Sequence, residues 1–116
     1  MRVLGIDPGL VCTGYGCVER QGRDQRIVEA GTIRPDQDSN LESRLQSLHS
    51  GISEVLTELK PEAAVVEEIY SKYEHPRTAI LMGHARGVLL LAASQHGVPV
   101  VSYAASRVKK ALTGSG

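Results

Sequence analysis

The spacing of apolar residues in the first half of the chain predicts three β-strands followed by one helix. Three segments are rich in apolar and β-forming residues: 2–6, 12–20 and 26–33. The polar, glycine-containing turn between the last two predicts a hairpin. From Leu41 to Leu59 the apolar residues recur every three or four positions, which is the period of an amphipathic helix, and Pro61 then ends it.

The second half of the chain alternates short apolar runs with longer helical ones. The run Ala63–Val66 is too short for a helix and has no polar side, as expected of a strand buried on both faces of a parallel sheet. A polar, basic loop is predicted over 71–77. The helix predicted over 78–96 is apolar over most of its surface, so it should pack on the sheet with one side and on a second subunit with another. A strand over 99–102 and a short helix over 104–112 follow.

This order of elements, βββαβαβα, predicts a single α/β domain over residues 1–116. An antiparallel meander of strands 1–3 comes first, and two crossover units then add the parallel strands 4 and 5. The expected architecture is a five-stranded mixed sheet flanked by helices.

The composition favours a globular protein of the reducing cytoplasm. Hydrophobic residues make up 41% of the chain and charged residues 22%, which is ordinary for such a protein. No apolar run approaches the roughly 20 residues that span a bilayer, so no membrane partner is expected. Cys12 and Cys17 match no zinc or redox spacing, and we interpret them as free thiols packed as small hydrophobic side chains.

The net charge is zero, but the charges are unevenly distributed along the chain. Residues 1–70 hold 7 Lys and Arg against 12 Asp and Glu, whereas residues 71–116 hold 6 basic residues against Glu74 alone. Such an asymmetry between the two parts of a chain indicates a polyanionic partner for the basic part.

Candidate chemistry begins at Asp7, which ends the first predicted strand and opens the turn Asp7-Pro8-Gly9. Asp-Pro-Gly is also an ordinary turn sequence, so the motif alone does not identify a site. A carboxylate at the tip of a buried strand, facing a glycine-lined turn, can bind a divalent metal or lie next to a phosphate.

Two further carboxylates, Glu67 and Glu68, end the fourth predicted strand. Side chains alternate along a strand, so these two point to opposite faces of the sheet. If strands 1 and 4 are parallel neighbours, Asp7 and one of the two Glu residues converge at the carboxyl edge, where ligands bind in open α/β sheets. Their mutual repulsion would favour a cation between them, and Mg²⁺ prefers such hard oxygen ligands.

A series of motifs in this chain resembles the RuvC-type Holliday junction resolvases. The motifs occur in the family's order over essentially the whole chain: Gly5–Gly9, Thr13–Gly16, Val66–Tyr70, Gly83–Val88, Pro99–Val100, Tyr103–Ala105 and Val108–Lys109. The resemblance implies an RNase H-like fold and a homodimeric, Mg²⁺-dependent endonuclease, with Mn²⁺ as a possible substitute and two ions in each complete site. It further implies symmetric nicking of two opposing strands of a four-way DNA junction and cooperation with a branch-migration motor.

The resemblance also assigns roles to individual residues. Asp7 matches the family's first metal-binding carboxylate, and Glu67, not Glu68, matches the second. Tyr70 matches an aromatic residue that inserts at the junction and stacks on a base. Lys109 matches a basic residue near the scissile phosphate.

Three more basic residues are candidate phosphate contacts by charge and loop position alone. They are Lys72, Arg77 and Lys110.

The chain departs from the family at its end. The family completes its metal site with a late helix that carries an Asp-x-x-Asp or His-x-x-Asp pair after a glycine-containing loop like residues 114–116. The sequence ends in that loop, which suggests a chain truncated before its last helix. With two of four ligands present, we expect the 116-residue chain to be inactive or badly impaired.

Two alternatives remain open from the sequence. Openings of the type Asp-x-Gly-x-x-x-Thr also occur in actin-like and sugar-kinase-like ATPases, where a hairpin holds the phosphates of ATP, although those proteins need two such domains. The other alternative is a non-catalytic module for dimerisation or junction binding.

Overall fold

A computed structural model describes residues 1–68 and 75–103 of the chain. The strands are β1 Arg2–Asp7, β2 Thr13–Gln21, β3 Asp24–Ile33, β4 Ala63–Glu67 and β5 Val100–Tyr103, and the helices are α1 Leu41–Leu59 and α2 Pro76–Gln95. The strands lie in the order β3-β2-β1-β4-β5. Strands β1, β2 and β3 pair antiparallel, while β4 pairs parallel with both β1 and β5. The predicted five-stranded mixed sheet is confirmed.

The hydrophobic core lies between one face of the sheet and the two helices. Leu4 and Ile6 of β1 and Ala64 and Val66 of β4 have no exposed surface, and they alternate with residues that point to the other face. The helices supply the opposite side of this core, with Leu48, Ile52, Val55, Leu56 and Leu59 from α1 and Ala85, Leu89, Ala92 and Ala93 from α2. Since the core depends on alternate positions of β1 and β4, the register between these strands is fixed by burial.

Helix α1 begins and ends where its sequence predicts. The side-chain oxygen of Asn40 accepts a hydrogen bond of 2.9 Å from the backbone N–H of Ser43, which is an N-terminal cap. Lys60 adopts the left-handed conformation after the last turn, and Pro61 cannot continue the helix. The helix therefore ends close to the start of β4 and delivers the chain to the centre of the sheet.

Helix α2 begins earlier than its sequence predicts. Its first residue is Pro76, whose fixed φ suits the first helical position and whose missing N–H has no partner to lose there. The predicted loop over 71–77 is therefore wrong at its end, and Arg77 lies in the first turn of the helix. The predicted helix over 104–112 lies outside the described residues, and neither described helix is long and apolar enough to cross a membrane.

Candidate metal centre

Asp7 is the last residue of the central strand β1. It is half-buried, and it pairs across the antiparallel ladder with Gly14 of β2. A side chain built at Gly14 would have its Cβ 4.0 Å from the Asp7 Cβ, so glycine keeps the surroundings of this carboxylate open. Asp7 is thus a carboxylate at a strand end with free space on one side.

Glu67 is the last residue of β4, and Glu68 follows after the strand has ended. Glu67 is 8% exposed, whereas Glu68 is exposed. The guanidinium Nε of Arg86, in α2, donates a hydrogen bond of 3.2 Å to the backbone carbonyl of Glu67. Arg86 thereby ties the end of β4 to the helix that crosses over it.

The register between β1 and β4 brings Asp7 and Glu67 to the same level of the sheet. Ile6 and Val66 are partners in the parallel ladder, and the two acidic residues come one position later on each strand. Neighbouring strands lie about 4.8 Å apart. The expected convergence at the carboxyl edge of the sheet is therefore confirmed for the backbone of these two residues.

Both carboxylates belong to the sheet face that is opposite the helices. Ile6 and Val66 face the helices and are fully buried, so the next residue on each strand points the other way. On β1, Val3 and Gly5 share this face with Asp7. On β4, Val65 shares it with Glu67. The alternation along each strand therefore assigns both acidic residues to one face of the sheet.

This pair of carboxylates fits the chemistry of a hard divalent cation. Carboxylate oxygens are ligands that Mg²⁺ prefers, and Mg²⁺ is commonly held by one or two carboxylates while keeping several waters. Within the described residues, no group of three or more His, Cys, Asp or Glu side chains is placed to hold a metal ion.

An open groove of about 510 Å³ adjoins Asp7 on the same face of the sheet. Its other walls come from β2 and β3 and include several residues without bulky side chains: Gly14, Gly16, Ala30, Gly31 and Thr32. The space beside the carboxylate is therefore accessible from solvent and large enough for part of a polymer chain.

The other predicted site residues lie apart from the carboxylates or outside the described residues. Arg77 is exposed in the first turn of α2. It precedes Arg86 by nine residues, which is roughly 13 Å along a helix axis. Arg86 contacts the end of β4, whereas Arg77 lies more than two helical turns before it along α2. Residues Tyr70, Lys72, Lys109 and Lys110 lie outside the described residues.

Sequence reasoning assigned no role to Arg86. It stands within a motif that carries the family resemblance, but one basic residue on a mostly apolar helix does not reveal its partner. The available sequence signal was an arginine among apolar residues of a helix. The structure shows that Arg86 is half-buried, and an arginine that is not fully solvated usually has a polar partner.

Comparisons with known proteins agree with this geometry. The sequence model of the family described as "Crossover junction endodeoxyribonuclease RuvC" matches residues 3–116. A protein of that name from Rhodopirellula baltica is 48% identical over 114 residues, covering 98% of this chain and 64% of the relative. A second, from Brucella suis, is 43% identical over 116 residues, covering 100% of this chain and 66% of the relative. The chain thus spans a little under two thirds of the length of these relatives.

A solved structure gives the same result for the fold. The structure of Thermus thermophilus RuvC in complex with a Holliday junction substrate superposes with a TM-score of 0.86 at 36% identity, covering 100% of this chain and 70% of that one. The fold is therefore that of the RuvC nucleases.

Proposed function

Because this chain belongs to the family of RuvC crossover junction endodeoxyribonucleases, we propose that it acts on four-way DNA junctions and hydrolyses phosphodiester bonds in them with a divalent metal. The observation that supports the proposal is the parallel register of β1 and β4, in which Ile6 pairs with Val66, one position before Asp7 and Glu67. The family match favours this function over the phosphate-binding ATPase subdomain.

Asp7 and Glu67 are the residues that would hold the metal. Mg²⁺ is the ion that their oxygen ligands suit best, with Mn²⁺ as a substitute and two ions in the complete site. Such ions activate water and stabilise the negative charge that develops on a phosphodiester during hydrolysis. The protein's own contribution is to fix the two carboxylates on a rigid strand pair and to leave the groove beside Asp7 open for the substrate.

The two carboxylates are fewer than a catalytic two-metal site requires. We propose that further ligands from outside the described residues complete the site.

Basic and aromatic residues elsewhere in the chain would bind the DNA. Arg77 is exposed in the first turn of α2, where it would contact a phosphate away from the metal. The remaining contacts are proposals from sequence alone: Tyr70 for stacking on a base, and Lys72, Lys109 and Lys110 for phosphates.

A homodimer would allow the two opposing strands to be nicked symmetrically. Helix α2 buries one side against the core but exposes Ile80 by 62% and Leu91 by 53% on another. These residues are eleven positions apart, which is three turns of a helix, so they share one stripe. Gly87 lies on the same stripe and has open space around its Cα. We propose that a second copy of this chain packs on this stripe. We further propose that the protein acts in the cytoplasm and that a branch-migration motor acts on the same DNA.

Structure-selective binding and metal-dependent nicking test the proposed function together. The chain is mixed with a synthetic four-way junction and with a linear duplex of the same sequence. We expect tighter binding to the junction, and any nicking under enzyme excess should require Mg²⁺ or Mn²⁺ and disappear in Asp7→Asn. Equal affinity for junction and duplex, or nicking that survives Asp7→Asn, would contradict the proposal.

A further inference from the structure

The loop between β1 and β2, residues 8–12, is closed by a single threonine side chain. The Thr13 hydroxyl donates a hydrogen bond of 2.7 Å to the backbone carbonyl of Gly9. The backbone N–H of Gly9 donates one of 3.1 Å back to the same hydroxyl oxygen. Thr13 has no exposed surface. One buried hydroxyl therefore satisfies both backbone polar groups of the residue that lies two positions after Asp7.

The backbone path at Gly9 leaves no room for a side chain at this position. A Cβ added there would overlap the backbone carbonyl of Cys12, on the other side of the same loop. The loop is thus drawn tightly around the Thr13 hydroxyl, and Gly9 cannot drift without breaking both hydrogen bonds.

A second anchor holds the loop from outside. The side-chain amide of Gln37 donates to the backbone carbonyl of Leu10 at 3.3 Å and to that of Pro35 at 2.9 Å. Its own carbonyl accepts a hydrogen bond of 2.7 Å from Arg44, in the first turns of α1. The loop is therefore connected to α1 as well as to β2.

The two hydrophobic residues of the loop differ in burial. Leu10 is 4% exposed and belongs to the core, whereas the next residue, Val11, is 61% exposed. Burial of Leu10 adds an apolar anchor to the polar ones at Gly9 and at the Leu10 carbonyl. Asp7 immediately precedes this loop, so the anchors restrict how far the end of β1 can fray.

We propose that Thr13 is a positioning residue of the metal centre, which holds the loop through Gly9 so that the Asp7 carboxylate meets Glu67 in one geometry. Gln37 supports the same loop from the surface. The inference rests on the proposed metal-dependent function. It follows from a general property of metal sites: ligands held by outer contacts bind more tightly than ligands that must be ordered at the moment of binding.

The test compares Mn²⁺ affinity among variants of this chain by titration followed with electron paramagnetic resonance. Thr13→Val keeps the volume of the side chain and removes both hydrogen bonds, so we expect affinity to fall about tenfold. Thr13→Ser keeps the hydroxyl and should bind nearly as the wild type does. Ile52→Val, in the buried face of α1, is the control for a general loss of stability and should leave affinity unchanged.

A surface variant covers the case in which Thr13→Val does not fold. Gln37→Ala removes the outer anchor at an exposed residue and should weaken Mn²⁺ binding less than Thr13→Val does. Hydrogen exchange at the Gly9 amide should accelerate in Thr13→Val and not in Ile52→Val.

The outcomes separate the two levels of the proposal. Mn²⁺ binding that depends on Asp7 but is the same in the wild type, Thr13→Val and Gln37→Ala would overturn the positioning role alone. If the wild type and Asp7→Asn bind Mn²⁺ equally, or neither binds it, both the metal centre and the positioning role are overturned.

Discussion

Asp7 and Glu67 end two neighbouring parallel strands, each one residue beyond a paired position of the ladder. They lie 60 positions apart in the sequence, and their strands are neighbours because the crossover through α1 returns the chain to the side of β1. The helices cover the other face of these strands, and the groove on this face adjoins Asp7. The proposed metal chemistry depends on this pairing.

The two adjacent glutamates offer a direct comparison. Glu67→Gln should weaken Mn²⁺ binding by at least about tenfold, because it removes one of the two charged ligands on the metal-facing surface. Glu68→Gln changes the same chemical group at an exposed position after the strand and should have little effect. Equilibrium titration with Mn²⁺ measures both. Equal losses in the two variants would show that the register does not select the ligand.

The exposed stripe of α2 predicts a dimer that a single charge can dissociate. Leu91→Glu places a carboxylate where the proposed second copy packs, and burying an unpaired charge is strongly unfavourable. The variant should sediment as a monomer at concentrations where the wild type is a dimer. Gln46→Glu, an exposed position of α1, adds the same charge and should leave the dimer intact. A wild type that is monomeric at every concentration tested would contradict the prediction.

The salt dependence of junction binding tests the position of Arg77. If Arg77 neutralises one phosphate, Arg77→Gln should lower the slope of log affinity against log salt by about one. Arg23→Gln is the matched control, because Arg23 is exposed in the β2–β3 turn at the opposite edge of the sheet from Asp7. Affinity measured at several salt concentrations decides the question. An unchanged slope for Arg77→Gln would remove this residue from the interface.

The raised pKa of the Tyr15 phenol predicts that the free energy of unfolding falls at alkaline pH. Burial raises the pKa of the Tyr15 phenol above its ordinary value of 10.0, and so do the hydrogen bond to Glu29 and the charges of Glu29 and Glu58. The phenol donates that hydrogen bond at 3.0 Å. As the pH rises, the unfolded chain loses this proton before the folded one does, so Tyr15 stabilises the fold fully below about pH 10 and progressively less above it.

The matched variant is Tyr15→Phe. At pH 7 it should be less stable than the wild type by about 1 kcal/mol, the usual net value of a hydrogen bond. Near pH 11 the difference in the free energy of unfolding should shrink. Urea denaturation at both pH values measures it, and an equal difference at the two would contradict the assignment of the raised pKa.

The sequence was sufficient to predict the main elements of the fold and the adjacency of the strand ends that carry Asp7 and Glu67. Strand and helix periods are local signals, and a short, wholly apolar run such as Ala63–Val66 indicates a central parallel strand. Convergence of the carboxylates then follows from adjacency of β1 and β4. The helix start at Pro76 was missed because proline reads equally well as part of a loop and as a first helical residue.

The supporting contacts could not be predicted from the sequence. The bonds from Thr13 to Gly9, from Gln37 to Leu10 and from Arg86 to Glu67 depend on loop paths and on helix placement. None of these has a periodic or compositional signal. Similarly, the apolar surface of α2 predicted burial on more than one side, but only packing against the sheet identified which side remains exposed.

Diffraction from crystals of this chain soaked with Mn²⁺, collected at a wavelength where manganese scatters anomalously, would show whether Asp7 and Glu67 share one cation. We expect an anomalous peak at the carboxyl edge of the sheet, in contact with carboxylate oxygens of both Asp7 and Glu67. A peak bound elsewhere, or the two carboxylates turned to opposite faces with no ion between them, would contradict it.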